Sequence, residues 1–350
     1  MLYEVFNLFL KQTDPETAHQ LAIRFLKSNI FPLGAFKFKG SSLLESKVMG
    51  INFENPVGVA AGFDKNAEVY NSMFKLGFGH AEVGTVTPQP QNGNDKPRVF
   101  RLDEDMAVIN RLGFPNEGMD YIFQRIIANP QENILGINIG PNKENATKNE
   151  DYIICLNKFY EKADYIAINI SSPNTPNLRT MHDKDKIIDL IDTLYNERSK
   201  KKKIKPIIFK LSPNINDEEI DILSEVFLDK KVDGLILTNT SIRGKENLID
   251  NNKNEEGGLS GNPLHLLSNK VISNFYKNLK GSIPIIGAGG VSDGVTAYEK
   301  IKSGANLIQL YTAMVFKGPY IASKINIEIC NLLKKDGFKN ISEAVGVNAN

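Results

Sequence analysis

Residues 167–176 read AINISSPNTP: an apolar run, Ala167-Ile168-Asn169-Ile170, opens into the turn Ser171-Ser172-Pro173-Asn174-Thr175-Pro176. Hydroxyls and amides are thus concentrated where a strand leaves the core. The same pattern recurs along the chain. Short β-branched or aliphatic runs at 57–61, 80–86, 134–139, 165–170, 206–211, 234–238, 284–288 and 307–313 are each followed by a segment of helical length. Helical spacing marks about 65–76, 116–129, 150–162, 184–200, 217–230, 264–280, 293–303 and 319–334, several opening on Asn, Asp or Pro as helix starts do. Nearly continuous apolar strands that alternate with helices predict a parallel sheet with covered faces. Eight such units predict a closed α/β architecture, a (β/α)8 TIM barrel, with a doubly wound open sheet as the structural rival.

Composition bounds the function. The 350 residues are 41% hydrophobic and 24% charged, enough for a full core in one large barrel. Lys plus Arg number 42 against 41 for Asp plus Glu, a net charge of +1, so no global field draws the chain to nucleic acid. Cys155 and Cys330 form no CxxC pair, so neither a disulfide framework nor a thiolate metal site is expected. No apolar run reaches the ~18 residues of a spanning helix, and Met1-Leu-Tyr-Glu-Val lacks a basic signal region, which predicts a soluble or peripherally bound protein.

Polar or glycine residues mark the end of every expected strand: Gly62-Phe63-Asp64-Lys65, Thr85, Asn138, Asn169, Lys210, Thr238-Asn239-Thr240, Gly287-Ala-Gly-Gly290 and Tyr311-Thr312. In a barrel these ends share one face, where such folds place their chemistry. Loops are polar in any case, yet that does not explain Lys210 inside an apolar run, since a lysine is rarely buried without a partner. The glycine turn at 287–290 suits a phosphate received by backbone N–H groups. No GxGxxG frame with a following acid is present, so a nicotinamide dinucleotide is disfavoured and a mononucleotide flavin becomes a plausible occupant.

AAGFDKN (60–66), GTVTPQPQNGNDKPRVFR (84–101), INRLGF (109–114), GINIG (136–140), AINISSPNTP (167–176), TNT (238–240), GGLSG (257–261), IIGAGG (285–290) and LIQLYTA (307–313) occur in the order found in one family. Over roughly residues 40–335 the chain resembles the dihydroorotate dehydrogenases of the membrane-associated, quinone-dependent class. The resemblance implies FMN, (S)-dihydroorotate as substrate, orotate as product and a quinone as final acceptor, in pyrimidine (UMP) biosynthesis. It implies Ser172 as the base that removes the C5 proton while hydride leaves C6. A cysteine there would mark the soluble class. Free serine is a poor base, and a hydroxyl and water relay through Thr175 is expected rather than His182. Lys65 would pair with the substrate carboxylate, with Asn110, Arg111, Leu112, Gly113, Phe114, Asn169, Asn174, Asn239 and Thr240 around the ring. FMN contacts would be Ala61, Gly62, Phe63, Asp64, Lys65, Thr85, Asn138, Asn169, Lys210, Thr238, Gly261, Gly290, Tyr311 and Thr312. No metal is expected. Phe114-Pro115-Asn116 departs from the family's more usual GFNN, which leaves the role of Asn116 open.

Two apolar stripes precede the first barrel strand. Leu2, Val5, Phe6, Phe9 and Leu10 form one; Ala18, Leu21, Ala22, Phe25 and Leu26 form the other, after an Asp14-Pro15 start. The expected division is an N-terminal two-helix appendage, 1–38, and a catalytic barrel, 39–340. The stripes could simply dock on the barrel. In the resembled class they form a quinone funnel, with His19, Arg98 and Tyr311 as polar contacts, on a monomer held peripherally at the cytoplasmic side of the inner membrane. Three rivals remain: an FMN barrel reducing a pyrimidine in RNA, which calls for a basic surface and a catalytic cysteine; a soluble fumarate- or NAD-linked relative; and a non-catalytic, membrane-docked barrel that binds a phosphate ligand.

Overall fold

The computed structural model describes residues 12–28, 33–175 and 178–349. The first apolar stripe, 2–10, therefore lies outside the described residues. Eight parallel strands close into a barrel: β3 (Val57–Val59), β4 (His80–Val86), β7 (Ile134–Ile139), β8 (Tyr165–Asn169), β9 (Ile207–Leu211), β10 (Gly234–Leu237), β12 (Ile285–Ala288) and β13 (Leu307–Leu310). They follow one another in chain order, and closure is made by Ile308 beside Val57. This is the expected (β/α)8 TIM barrel. Helices α1 (Pro15–Lys27), α2 (Tyr70–Lys75), α3 (Gly118–Ala128), α4 (Glu150–Phe159), α5 (Lys184–Ser199), α6 (Asp217–Asp229), α7 (His265–Asn278), α8 (Gly294–Lys302), α9 (Thr312–Lys317) and α10 (Ile321–Asp336) complete the order.

Side chains on a strand alternate faces, and here that parity decides where the chemistry sits. Ile166 and Ile168 of β8, Ile207, Phe209 and Leu211 of β9, and Leu235 and Leu237 of β10 belong to the outer core beneath the helices. Their neighbours Tyr165, Ala167, Ile208, Ile236, Ile286 and Leu307 form a separate core inside the barrel. The antiparallel hairpin β1 (Ser46–Val48) and β2 (Ile51–Phe53) adds Val48 and Phe53 to that inner core. Lys210 and Asn169 share the parity of Ile208 and Ala167, so they point inward one step nearer the mouth.

Two differences from the expected elements concern the site. The segment expected as a helix from 65 is helical only at α2, because the buried Asp64 carboxylate accepts N–H bonds from Glu68 and Val69, both 2.7 Å, and shapes residues 64–69 into a turn. A three-stranded antiparallel sheet, in the order β11 (Gly258–Gly261), β6 (Ala107–Asn110), β5 (Val99–Leu102), was not expected. Val99 lies opposite Asn110, and Asn110 opposite Gly258. Helix α1 begins as the sequence predicts: Asp14 accepts from Thr17 N at 2.9 Å with Pro15 in the first turn. Its Ile23 and Leu26 enter the outer core, and Ser72 Oγ donates to Leu26 O at 3.0 Å.

Candidate active site

One cavity of about 1400 Å³ opens at the carboxyl ends of the strands. Its wall includes Ala61, Gly62, Phe63, Lys65, Thr85, Asn169, Ser172, Lys210, Thr238, Asn239, Thr240, Gly290, Tyr311 and Thr312 from the barrel, and Asn110, Leu112, Gly113, Phe114, Asn174 and Gly261 from the loops and sheet above it. Four expected contacts stand behind the wall. Asp64 shapes the turn described above. Asn138 is buried beneath Thr85, whose Oγ1 donates to Asn138 Oδ1 at 2.7 Å. Arg111 pairs with Glu255 at 2.8 Å and lies over the Phe100 ring. Arg98 pairs with Glu16 of α1 through Nη2 at 2.6 Å and Nε at 3.1 Å.

The polar floor is cross-bonded. Asn169 Nδ2 donates to Thr85 Oγ1 at 3.0 Å, Asn239 Nδ2 to Asn169 Oδ1 at 3.3 Å and to Ser171 Oγ at 3.0 Å, and Ser171 Oγ to Lys210 O at 2.6 Å. Fixed amide positions follow, since each side chain has one orientation that satisfies its neighbours. Ser172 is 5% exposed, and its Oγ accepts from Asn174 N at 3.2 Å; Asn174 Nδ2 in turn donates to Asn110 Oδ1 at 3.3 Å. Thr175 is buried beside this turn. Asn116, whose role the sequence leaves open, is structural here. Its Nδ2 donates to Thr87 Oγ1 at 2.8 Å and to Phe114 O at 2.9 Å, and its Oδ1 accepts from Gly118 N at 2.9 Å.

The sequence reading omitted Glu82 and Gln309. Glu82 is fully buried and accepts from Asn138 Nδ2 at 2.8 Å, Gln309 Nε2 at 2.9 Å and Tyr165 Oη at 3.1 Å. Parity could have found it, because Glu82 follows His80 by two residues on the inward side of β4. Its carboxylate offsets part of the burial that pushes the Lys210 ammonium below its ordinary range. Lys65 is pushed down to about 8 by burial, against the pull of Glu16 and Asp64 and with a further push from Arg98.

The backbone at 289–290 and 261 forms a second feature. Gly290 (φ 74°) and Gly261 (φ 100°) adopt conformations that side chains avoid. A Cβ on Gly290 would lie 2.3 Å from His265 Cα, and one on Gly261 2.4 Å from Met106 O. Nearby, Thr312 Oγ1 donates to Ser260 Oγ at 2.9 Å. Among the described residues, Thr238 Oγ1 and Gln309 Oε1 are buried without a protein partner although both residues line the cavity. Unspent polar atoms and a glycine cradle lining one cavity fit a planar group with polar edges and an anionic tail.

The cavity continues between α1 and residues 314–320, where Ala18, Ala22, Phe25, Leu26, Leu33, Met314, Val315, Phe316, Pro319 and Tyr320 make it apolar. At the junction, His19 Nδ1 lies 3.4 Å from Tyr311 Oη, and the Phe63 ring stands edge-on to both rings at 5.3 and 5.6 Å. Burial, with Lys65 nearby, holds the His19 pKa well below its ordinary value, and burial with Glu16 nearby raises that of the Tyr311 phenol. Among the described residues, no helix is long and apolar enough to cross a membrane.

The family model for dihydroorotate dehydrogenase matches residues 43–333. A dihydroorotate dehydrogenase (quinone) of Azorhizobium caulinodans is 42% identical over 99% of this chain and 98% of its own length. The mitochondrial dihydroorotate dehydrogenase (quinone) of Mus musculus is 43% identical over 95% of this chain and 87% of its own. Among solved structures, the Eimeria tenella enzyme crystallised with ferulenol superposes with a TM-score of 0.90 at 36% identity, covering 96% of each chain. Sequence order, barrel and cavity agree with these matches, and the chain belongs to the dihydroorotate dehydrogenase family, flavin-dependent oxidoreductases that oxidise dihydroorotate in pyrimidine biosynthesis.

Proposed function

We infer that the chain oxidises (S)-dihydroorotate to orotate, with FMN as the flavin and a quinone as the final electron acceptor. The observation that carries this reading is one cavity with two unlike halves: Ser172, Lys65 and a set of amides at the barrel mouth, and an apolar passage under α1.

Ser172 is the base for the C5 proton. Its Oγ already accepts one N–H bond from Asn174, which orients a lone pair, and Thr175 with water carries the proton onward. Lys65 receives the substrate carboxylate in a charge-assisted bond. Asn110, Asn174, Asn239 and Thr240, all lining the cavity, offer the donors and acceptors that a ring of alternating carbonyl and N–H groups requires. Leu112, Gly113 and Phe114 close this pocket, with Arg111 supporting them from outside.

FMN supplies a two-electron acceptor for the hydride from C6. Gly261, Gly290 and Thr312 would hold its phosphate; Ala61, Gly62, Phe63, Thr85, Asn169 and Thr238 would border the ring, with Asp64 and Asn138 fixing that border from beneath. Lys210 would supply positive charge to the bound flavin. His19 and Tyr311 would meet the quinone head, and the apolar passage its tail; Arg98 acts there through its pair with Glu16.

Residues 1–38 are proposed as the quinone and membrane-binding segment, and 39–340 as the catalytic barrel. The apolar face of α1 supports peripheral membrane attachment, and a monomer at the cytoplasmic side of the inner membrane is proposed with it. The test uses purified full-length protein. Its spectrum should show flavin bands, denaturation should release FMN, and dihydroorotate should bleach those bands until a long-chain quinone restores them. A protein that releases no flavin, or bleaches without recovery on adding quinone, contradicts the assignment.

A further inference from the structure

Asn94 lies in none of the sites above, yet it joins three of their parts. Its Nδ2 donates to Asn174 O at 3.1 Å and to Arg111 O at 3.0 Å, so one amide ties the turn carrying Ser172 to the 110–114 loop. Its N donates to Leu112 O at 2.9 Å, and its Oδ1 accepts from Lys143 Nζ at 3.3 Å. Gly113 is shaped around it: at φ 70°, a Cβ there would lie 2.8 Å from Asn94 Cγ. On the opposite side, Asn94 O accepts from Arg98 Nη1 at 2.8 Å, and the same nitrogen donates to Asn92 O at 2.5 Å. The remaining Arg98 donors hold Glu16 of α1, a carboxylate that burial raises but Arg98 and Lys96 together bring below its ordinary range.

A continuous series of short bonds therefore runs from Glu16 through Arg98 and Asn94 to Asn174, whose N–H holds Ser172 Oγ. We propose that Asn94 is a positioning residue, through which the seating of α1 sets the geometry of the Ser172 turn. The inference rests on the reading of Ser172 as the base. The two carbonyls belong to the turn and the loop rather than to a ligand, so losing these bonds acts on position more than on affinity and falls on the rate of the proton-abstraction step.

The test is single-turnover bleaching of the flavin by dihydroorotate in the full-length holoenzyme, read as limiting rate and half-saturation. Asn94→Ala should lower the limiting rate roughly ten-fold, as expected for two lost hydrogen bonds. Asn94→Asp keeps the size but offers no donor to the two carbonyls, and should be as slow; a rate restored by Asn94→Asp would mean that filling the space suffices and would overturn the proposal. Glu16→Gln, remote from the turn, should slow the limiting rate about three-fold in the natural background and not at all in Asn94→Ala. Glu16 also raises the Lys65 pKa. An effect carried by Lys65 would appear in half-saturation and persist in both backgrounds. An equal slowing of the limiting rate in both backgrounds, or a wild-type rate in Asn94→Ala, refutes the coupling. Ser172→Ala, run in parallel, separates the two readings: bleaching lost there but intact in Asn94→Ala sinks only this inference, whereas bleaching intact in Ser172→Ala sinks both.

Discussion

The two halves of the cavity are built by opposite means. At the mouth, the floor side chains leave strands or strand-end loops of one closed barrel and are bonded to one another, from Asn138 through Thr85 and Asn169 to Asn239. Under α1, the wall comes from residues near 20, 63 and 315, brought together by packing. Proton abstraction requires atoms placed to a fraction of an ångström, which only a cross-bonded scaffold provides. Passage of an isoprenoid tail requires only continuous apolar surface. The difference teaches that the polar half should respond to single atoms, and the apolar half to charge and volume.

Four measurements sharpen or break this contrast. The largest effect is expected for Ser172→Ala, which should retain flavin but bleach roughly 10²–10⁴-fold more slowly with dihydroorotate. An unchanged single-turnover rate would remove Ser172 from its proposed role. Lys65→Ala should weaken orotate binding about ten- to a hundredfold, the loss of one charge-assisted contact in a partly dried site. Titration of orotate against the flavin spectrum gives the number, and equal affinities would place the carboxylate elsewhere.

Ala22→Glu puts a carboxylate into the apolar passage. Reoxidation by a long-chain quinone should fall about ten-fold or more, because a charge must then be desolvated against the tail. Bleaching by dihydroorotate should stay within about two-fold of wild type. Parallel losses in the two half-reactions would erase the distinction between the halves.

The smallest effect is a pH dependence. Lys65 loses its proton near pH 8 in the free site, and a bound carboxylate raises that value. Orotate affinity should therefore be level below about 8 and fall up to ten-fold per unit above it, until the pKa of the complex is reached. Lys65→Ala should abolish this slope, and its persistence there would assign the titration to another group.

Much of the mouth was legible from the chain because strands repeat with period two and end in polar residues. Asn169, Lys210, Thr238 and Tyr311 stood out as polar interruptions of apolar runs, and all line the cavity. Glu82 and Gln309 were equally visible by parity, but lie within the runs rather than at their ends. The β5–β6–β11 sheet escaped notice for another reason. Two of its strands are four residues long and form one hairpin, while the third, Gly258–Gly261, pairs with Ala107–Asn110 across a separation that no local pattern records.

By itself, the sequence determined the eight strand–helix units, their parallel sense and the set of polar residues that reach the open end, since these follow from local periodicity and the handed connection of parallel strands. Only the tertiary structure decided which of those residues face the cavity and which stand behind it. Asp64 became the organiser of a turn, Asn138 and Arg111 supports, and Arg98 the partner of Glu16. The physical reason is that a buried polar group is assigned by whatever partner folding brings within about 3 Å. For Arg98 that partner lies 82 residues away along the chain.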